Sequence, residues 1–258
     1  TDPQPLIFGS RLGTFGLVTV GKINNMEQLI REGFQRGHYF SDTTGGAINP
    51  TEVAAMLICR EENYEDGIRK AQTSIEGSCS MLLLTDKGIY AARDRLGRTP
   101  LVLGSRDGAM AVSSESCAFP NLGYGIEHFL GPGEVVFMNA DGWEQRLKPG
   151  QRMQVCAFLW VYYGFPASEY EGINVEWARN ACGAALARHD DVSVDLVAGI
   201  PDSGIGHAIG YANEKKISYR RPFVKYTPTW PRSFMPQSRK LRELVARMKL
   251  IPVRQLIE

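Results

Sequence analysis

Three tight turns constrain this 258-residue chain more than any other feature: Asp86-Lys87-Gly88, Asp107-Gly108 and Asp141-Gly142, the first two set between short apolar runs and the third closing one. Strands joined by such turns must run antiparallel, because parallel neighbours need a long crossover. The runs are residues 80–85 (SMLLLT) with 89–93 (IYAAR), 101–104 with 109–113, and 134–139 ahead of the last turn. Residues 13–21 (GTFGLVTVG) read as a further strand, and Met26, Leu29, Ile30 and Phe34 then recur at helical spacing. Asn49-Pro50-Thr51-Glu52 reads as a helix start: Asn as N-cap, Pro at the first helical position, Glu at the third. The helix it opens is expected to bury Val53, Met56 and Leu57. Residues 1–150 therefore read as an antiparallel α+β domain.

After Pro149-Gly150 the pattern changes. A helix is expected over residues 174–189 with Ala178, Ala181, Ala185 and Leu186 inward, followed by a nearly continuous apolar strand at 194–200 (VDLVAGI). The loop Pro201-Asp202-Ser203-Gly204 comes next, then a helix with Ile205, Ala208, Ile209 and Ala212 on one face, then an apolar stretch near Phe223-Val224. Strand, helix, strand at this spacing argues for a parallel α/β sheet in residues 151–258. Ligands of such sheets sit beyond the carboxyl ends of the strands, where residues 201–204 fall.

Composition narrows the function classes. With 43% hydrophobic and 22% charged residues the chain can bury a core as one large domain or two smaller ones. A net charge of +1 argues against nucleic-acid or membrane-surface partners. No apolar run is long enough to span a bilayer and TDPQPLIFGS lacks the features of a signal peptide, so a soluble cytoplasmic protein is expected. The five cysteines are odd in number and form no CxxC pair, so all are expected as reduced, buried thiols. The four histidines show no ligand-like grouping.

The ordered series of segments carries a resemblance. GIPDSGIGHAIGYA (199–212), Lys225 and PRSFMPQSRKLRELVARMKLIPVR (231–254) resemble the start of the phosphoribosyltransferase domain of the glutamine phosphoribosylpyrophosphate amidotransferase family. RDRLGRTPLVLG (93–104), SSESCAF (113–119) and GPGEVVFMNADG (131–142) are similar to consecutive segments of that family's N-terminal-nucleophile glutaminase domain, and VYYGFPAS with GINVEWARNACG to its inter-domain crossing. The resemblance implies a glutamine amidotransferase type 2 domain lacking its N-terminal part at 1–150 and the first part of a type I phosphoribosyltransferase domain at 151–258. It implies formation of 5-phosphoribosylamine from phosphoribosylpyrophosphate and glutamine-derived ammonia, with Mg²⁺, purine nucleotides as effectors and a homo-oligomer. The family nucleophile is an N-terminal cysteine. Thr1 opens a segment that resembles an internal one, so the cysteine is expected upstream of Thr1. The ribose-phosphate loop is expected beyond Glu258, leaving this stretch without either complete reaction centre.

Site residues follow by resemblance. Gly21 would allow close backbone approach to glutamine, although Val20 stands where the family has an amide donor and Pro50 where it has an aspartate that holds the glutamine amino group. Those two departures leave three options: another amide donor, direct use of ammonia, or a rebuilt pocket. Cys117 stands where iron–sulfur-bearing members place one ligand of a 4Fe-4S cluster, the others expected outside this chain. Asp202 and Ser203 would face the pyrophosphate and its Mg²⁺, Ser203 contacting the metal. Lys225, Arg232 and Lys249 would offset the pyrophosphate charge. A related amidotransferase with a changed donor, and a non-catalytic nucleotide-binding paralogue, are the competing readings.

Overall fold

The computed structural model describes residues 3–41, 43–44, 46–226 and 237–257. The chain divides into two compact units, Thr1–Cys156 and Ala157–Glu258. Residues 151–156 stay with the first unit, tied there by Gln154 N–H donating to Leu96 O at 2.9 Å.

The first unit opens with β1 (Leu6–Ser10), β2 (Gly13–Ile23), α1 (Met26–Gln35) and the short pair β3 (Thr43–Thr44) and β4 (Ala47–Ile48). Helices α2 (Pro50–Ile58) and α3 (Tyr64–Ser74) follow, then β5 (Gly77–Leu84), β6 (Ile89–Ala92), β7 (Val102–Arg106) and β8 (Ala109–Ser113). The unit closes with α4 (Ala118–Asn121), β9 (Gly125–Phe129), β10 (Val135–Asn139) and β11 (Gly142–Leu147). Six strands form one sheet in the order β1-β2-β5-β6-β10-β11 and three more a sheet in the order β8-β7-β9. Every pairing in them is antiparallel, as the turns require.

Strand alternation places two cores on the two faces of the large sheet. Phe15, Leu17, Cys79, Met81, Leu83, Tyr90, Ala92, Val135 and Phe137 pack with α1, α2 and α3. The residues between them, Leu82, Ile89, Ala91, Val136 and Met138, pack on the other side with Leu101, Leu103 and Leu130. Helix α2 is buried from Thr51 to Ile58, which suits a sequence apolar all round rather than on one stripe. The expected cap is present: Asn49 Oδ1 accepts from Thr51 N–H at 2.9 Å, with Pro50 at the first helical position. Glu52, at the third helical position, accepts from Ser41 N–H at 2.7 Å.

The second unit holds a π-helical turn (Leu159–Tyr163), the pair β12 (Glu169–Tyr170) and β13 (Ile173–Asn174), and α5 (Val175–His189). After these come α6 (Ile205–Lys215), β14 (Phe223–Lys225), α7 (Arg239–Lys249) and β15 (Leu250–Pro252). Two expectations change here. The apolar run at 194–200 forms a single parallel bridge, Val197↔Tyr219, rather than a strand ladder. Its facing run is bounded by Lys216 in the left-handed conformation (φ 58°) and by Pro222, which has no N–H to donate. The strands that do pair, β12 with β13 and β14 with β15, are antiparallel.

Helix α5 also turns a different face inward. Val175, Arg179, Gly183 and Ala187 are buried, whereas Ala181 is exposed and Leu186 is 61% exposed. The cause is a backbone-to-backbone crossing with α6. A Cβ on Gly183 would lie 1.9 Å from His207 O, and one on Gly210 would lie 1.9 Å from Asn180 O. Arg179, 3% exposed, donates from Nε to Trp160 O (2.8 Å) and from Nη2 to Tyr162 O (3.0 Å) and Gly164 O (2.8 Å). Those bonds satisfy carbonyls that the π-helical turn leaves open.

Candidate functional site

In the second unit the loop Pro201–Gly204 links the Val197 bridge to the start of α6. Gly204 N–H donates to Ile200 O at 2.9 Å and Ile205 N–H to Asp202 O at 3.2 Å, closing the loop tightly before the helix. The α6 N-terminus has no side-chain cap, so the amides that follow Ile205 in its first turn remain as donors beside the loop. Asp202 Oδ2 meets Lys225 Nζ in an ion pair at 2.5 Å. Lys225 ends β14 and pairs with Leu250, and Tyr226 N–H donates to Lys249 O at 2.8 Å. The fold therefore brings Asp202, Ser203, Lys225 and the backbone of Lys249 to one edge of the unit, from segments more than twenty residues apart in sequence. Asp202 is 62% exposed and Lys225 34% exposed on the side chain, so both remain open to a ligand. Arg232, with Pro228 and Pro231, lies outside the described residues, as does Thr1.

A metal at this edge would have one carboxylate and one hydroxyl, Asp202 and Ser203. That set is too small for a protein cage but suits Mg²⁺, which keeps waters and arrives with phosphate oxygens. Among the described residues no three His, Cys, Asp or Glu side chains gather as a metal site. Cys117 precedes α4, half-buried, and the described residues supply no set of four thiolates for an iron–sulfur cluster around it. The cysteines are not uniformly buried as expected: Cys79 is, Cys59, Cys117 and Cys156 are partly so, and Cys182 is exposed on the outer side of α5.

In the first unit two segments that the sequence treats separately come together. Thr19 of β2 and Thr51 of α2 share a hydroxyl hydrogen bond of 2.7 Å, which sets Val20-Gly21 beside Asn49-Pro50. Gly21 is needed by the sheet itself: its φ is +148°, and a Cβ there would stand 2.1 Å from Ser78 O on β5. Gln4 clasps the same strand, accepting from Thr19 N–H at 2.7 Å and donating to Thr19 O at 3.1 Å. Asn49 Nδ2 donates to Pro3 O at 3.1 Å, so its amide is engaged at both ends. Val20 is 49% exposed and offers no donor.

On the far side of Glu52 a cavity of about 230 Å³ is lined by Phe8, His38, Phe40, Met56 and Cys59 among others. Burial, then the charges of Arg60 and Arg36, hold the His38 pKa below its usual value. Burial raises the Cys59 thiol, with Ser10 and Arg11 opposing.

Sequence reading did not single out the polar knot of the RDRLGRTP segment. Asp94 Oδ2 accepts from Thr99 N–H (2.9 Å), Ser80 Oγ accepts from Asp94 N–H (2.9 Å), and Arg93 donates to Leu130 O and Gly97 O. Arg93 is 2% exposed and Asp94 2% exposed. Adjacent opposite charges beside an apolar strand were the available signal.

Comparison with known proteins accords with this geometry. Residues 1–121 match the glutamine amidotransferase domain family. The amidophosphoribosyltransferase of Bacillus subtilis is 34% identical over 99% of this chain and 53% of its own length. That of Archaeoglobus fulgidus is 32% identical over 98% of this chain and 55% of its own. The solved glutamine phosphoribosylpyrophosphate amidotransferase of B. subtilis, complexed with ADP and GMP, matches with a TM-score of 0.85 at 33% identity, covering 100% of this chain and 56% of that one. A second solved structure, an allosteric regulatory enzyme of purine biosynthesis, matches with a TM-score of 0.84 at 32% identity, covering 98% and 54%. The first unit is thus a glutamine amidotransferase domain of the N-terminal-nucleophile type, followed by the opening part of a phosphoribosyltransferase domain. The chain is similar to amidophosphoribosyltransferases over nearly its whole length and spans about half the length of the curated relatives it matches. No helix among the described residues is long and apolar enough to cross a membrane.

Proposed function

We propose that this chain serves amidophosphoribosyl transfer, the first step of purine synthesis: ammonia displaces pyrophosphate from phosphoribosylpyrophosphate and yields 5-phosphoribosylamine. The observation that carries the reading is the edge where Asp202, Ser203, Lys225 and the backbone of Lys249 come together beside an uncapped helix start. Lys225 and Lys249, joined by Arg232, neutralise the leaving pyrophosphate, and the α6 amides bind its oxygens. Asp202 and Ser203 hold Mg²⁺, which supplies further charge neutralisation when bound with the substrate. Incoming pyrophosphate competes with Asp202 for Lys225. The relative that carries ADP and GMP makes purine nucleotides the expected effectors, and a homo-oligomer in the cytoplasm goes with this reading.

The glutamine side of the reaction has a second reading, favoured by an exposed Val20 and by Pro50 at the head of α2. Neither can hold glutamine as an amide donor and a carboxylate would, so Gly21 offers only backbone approach. We therefore assign ammonia itself, or an amide other than glutamine, as the nitrogen source. The test is phosphoribosylamine formation by the full-length protein with ammonium chloride against glutamine. Ammonium is expected to support a rate about a hundredfold above glutamine, the scale set by one missing oxyanion donor. Equal rates would sink the second reading. In the same assay Lys225→Ala is expected to raise KM for phosphoribosylpyrophosphate; an unchanged KM and kcat would sink the first.

A further inference from the structure

A basic groove in the first unit is used by none of the chemistry above. It is a cavity of about 490 Å³ between α3, the loop after β6, the turn before β10 and the end of β11. Arg69, Arg95, Arg146 and Lys148 line it together with Gln72 and Thr73, and no carboxylate does. Its size lies within the range of small-ligand pockets.

The four cations are not equivalent. Arg69 is paired with Asp66 at 3.4 Å, both more than half exposed. Arg146 approaches Glu65 at 3.8 Å and pairs with Glu144, and its guanidinium lies over the Phe137 ring at 5.2 Å. Asp66, Glu65 and Glu144 therefore temper two of the charges from outside the groove. Arg95 and Lys148 make no hydrogen bond or ion pair through their side chains with any described residue. A guanidinium fork and an ammonium facing one polar cavity suit a phosphate group: the fork grips two oxygens and the ammonium adds a point charge. The wall behind them is fixed. Gln72 is 7% exposed and donates from Nε2 to Arg93 O (2.8 Å) and Gly133 O (3.2 Å), so the site is held in shape before any ligand arrives.

We propose that this groove is an anion-binding site, distinct from the Pro201–Gly204 loop, that takes a small phosphate-bearing molecule with at least two negative charges. Arg95 and Lys148 supply its principal contacts, and Arg69 and Arg146 join once the ligand competes with their carboxylates. A concave site with four cations in an otherwise near-neutral chain selects a compact polyanion rather than an extended one.

The probe is inorganic pyrophosphate, titrated calorimetrically into the full-length protein at low salt. Two classes of site are expected, one from each unit. Arg95→Glu with Lys148→Glu should remove the groove component or weaken it at least about tenfold, leaving the melting temperature unchanged because both side chains are exposed and unpaired. Lys225→Ala should weaken the other component and leave this one intact. If the charge reversal costs stability, Arg95→Gln with Lys148→Gln reads the same loss without reversed charge. The proposal is overturned if the double variant binds pyrophosphate with parental stoichiometry and affinity, or if Lys225→Ala abolishes all binding. Tighter binding of a polyglutamate peptide than of pyrophosphate at Arg95 and Lys148 would overturn the phosphate assignment.

Discussion

The two units solve the same problem of burial by different means. In the first, side chains meet side chains: a six-stranded sheet carries apolar residues on both faces, one under helices and one under a smaller sheet. In the second, the main helical contact is backbone on backbone, with Gly183 and Gly210 removing the side chains that would keep α5 and α6 apart. Large apolar groups are consequently left outside, Leu186 at 61% and Trp177 at 67% exposure among them. A core built from side chains can lose or gain volume at a cost of a few kcal/mol. A crossing built on glycine tolerates no gain at all.

That contrast can be broken or sharpened by experiment. The largest effect is expected from Gly210→Leu, where the new Cβ would lie 1.9 Å from the Asn180 carbonyl and neither backbone can move without parting the helices. A loss of about 4 kcal/mol, at the upper end for overpacking, should appear as accelerated hydrogen exchange in α5 and α6 while the large sheet stays protected. Protection unchanged in α5 would mean the crossing is not what holds the second unit. Leu83→Ala, at a fully buried position of β5, should cost about 3 kcal/mol and show its loss in the first unit's exchange instead.

The smallest effect is alkaline. Burial, with Asp94 nearby, pushes the Cys79 thiol up to about 12 from its ordinary 9.0. Because the folded pKa is the higher one, this thiol's contribution to stability is complete below pH 9.0 and is lost as pH rises towards 12. Burial and the Glu65 carboxylate likewise push Tyr90 up to about 12. At pH 8 a thiol reagent should therefore modify exposed Cys182 first and Cys79 last; equal rates at the two would contradict the burial assigned to β5.

The same contrast explains what the sequence disclosed. Turns such as Asp107-Gly108 dictate which strands pair, so β2, β5 to β8 and β10 were legible with α1 and α2, whereas β1, α3, α4 and β9 carry no such turn signal and were not singled out. The cap at Asn49-Pro50 was legible for the same local reason. In α5 Ala181 and Leu186 were expected inward and lie outside, while Ala178 does pack against Trp160 and Tyr170, because a glycine contact leaves no apolar signature. The strand at 194–200 shrank to one bridge because its partner run is clipped by Lys216 and Pro222, a constraint that sits some twenty residues away. Asp202 and Lys225 were named individually, but their ion pair rests on a tertiary contact that no spacing shows. The Arg95–Lys148 groove was not read at all, since its cations come from three separated stretches.

Helix α2 has a consequence for how such a domain can change over generations. Its body is wholly buried and its first residue is fixed by Pro50, while the neighbouring Val20 projects from a strand that Gln4 and Thr51 already hold in place. The frame is thus held by atoms other than the Val20 side chain. On the proposed reading, mutation at position 20 can redirect which nitrogen donor is accepted while the surrounding fold persists, making this corner a place where new specificity arises without first passing through an unfolded ancestor.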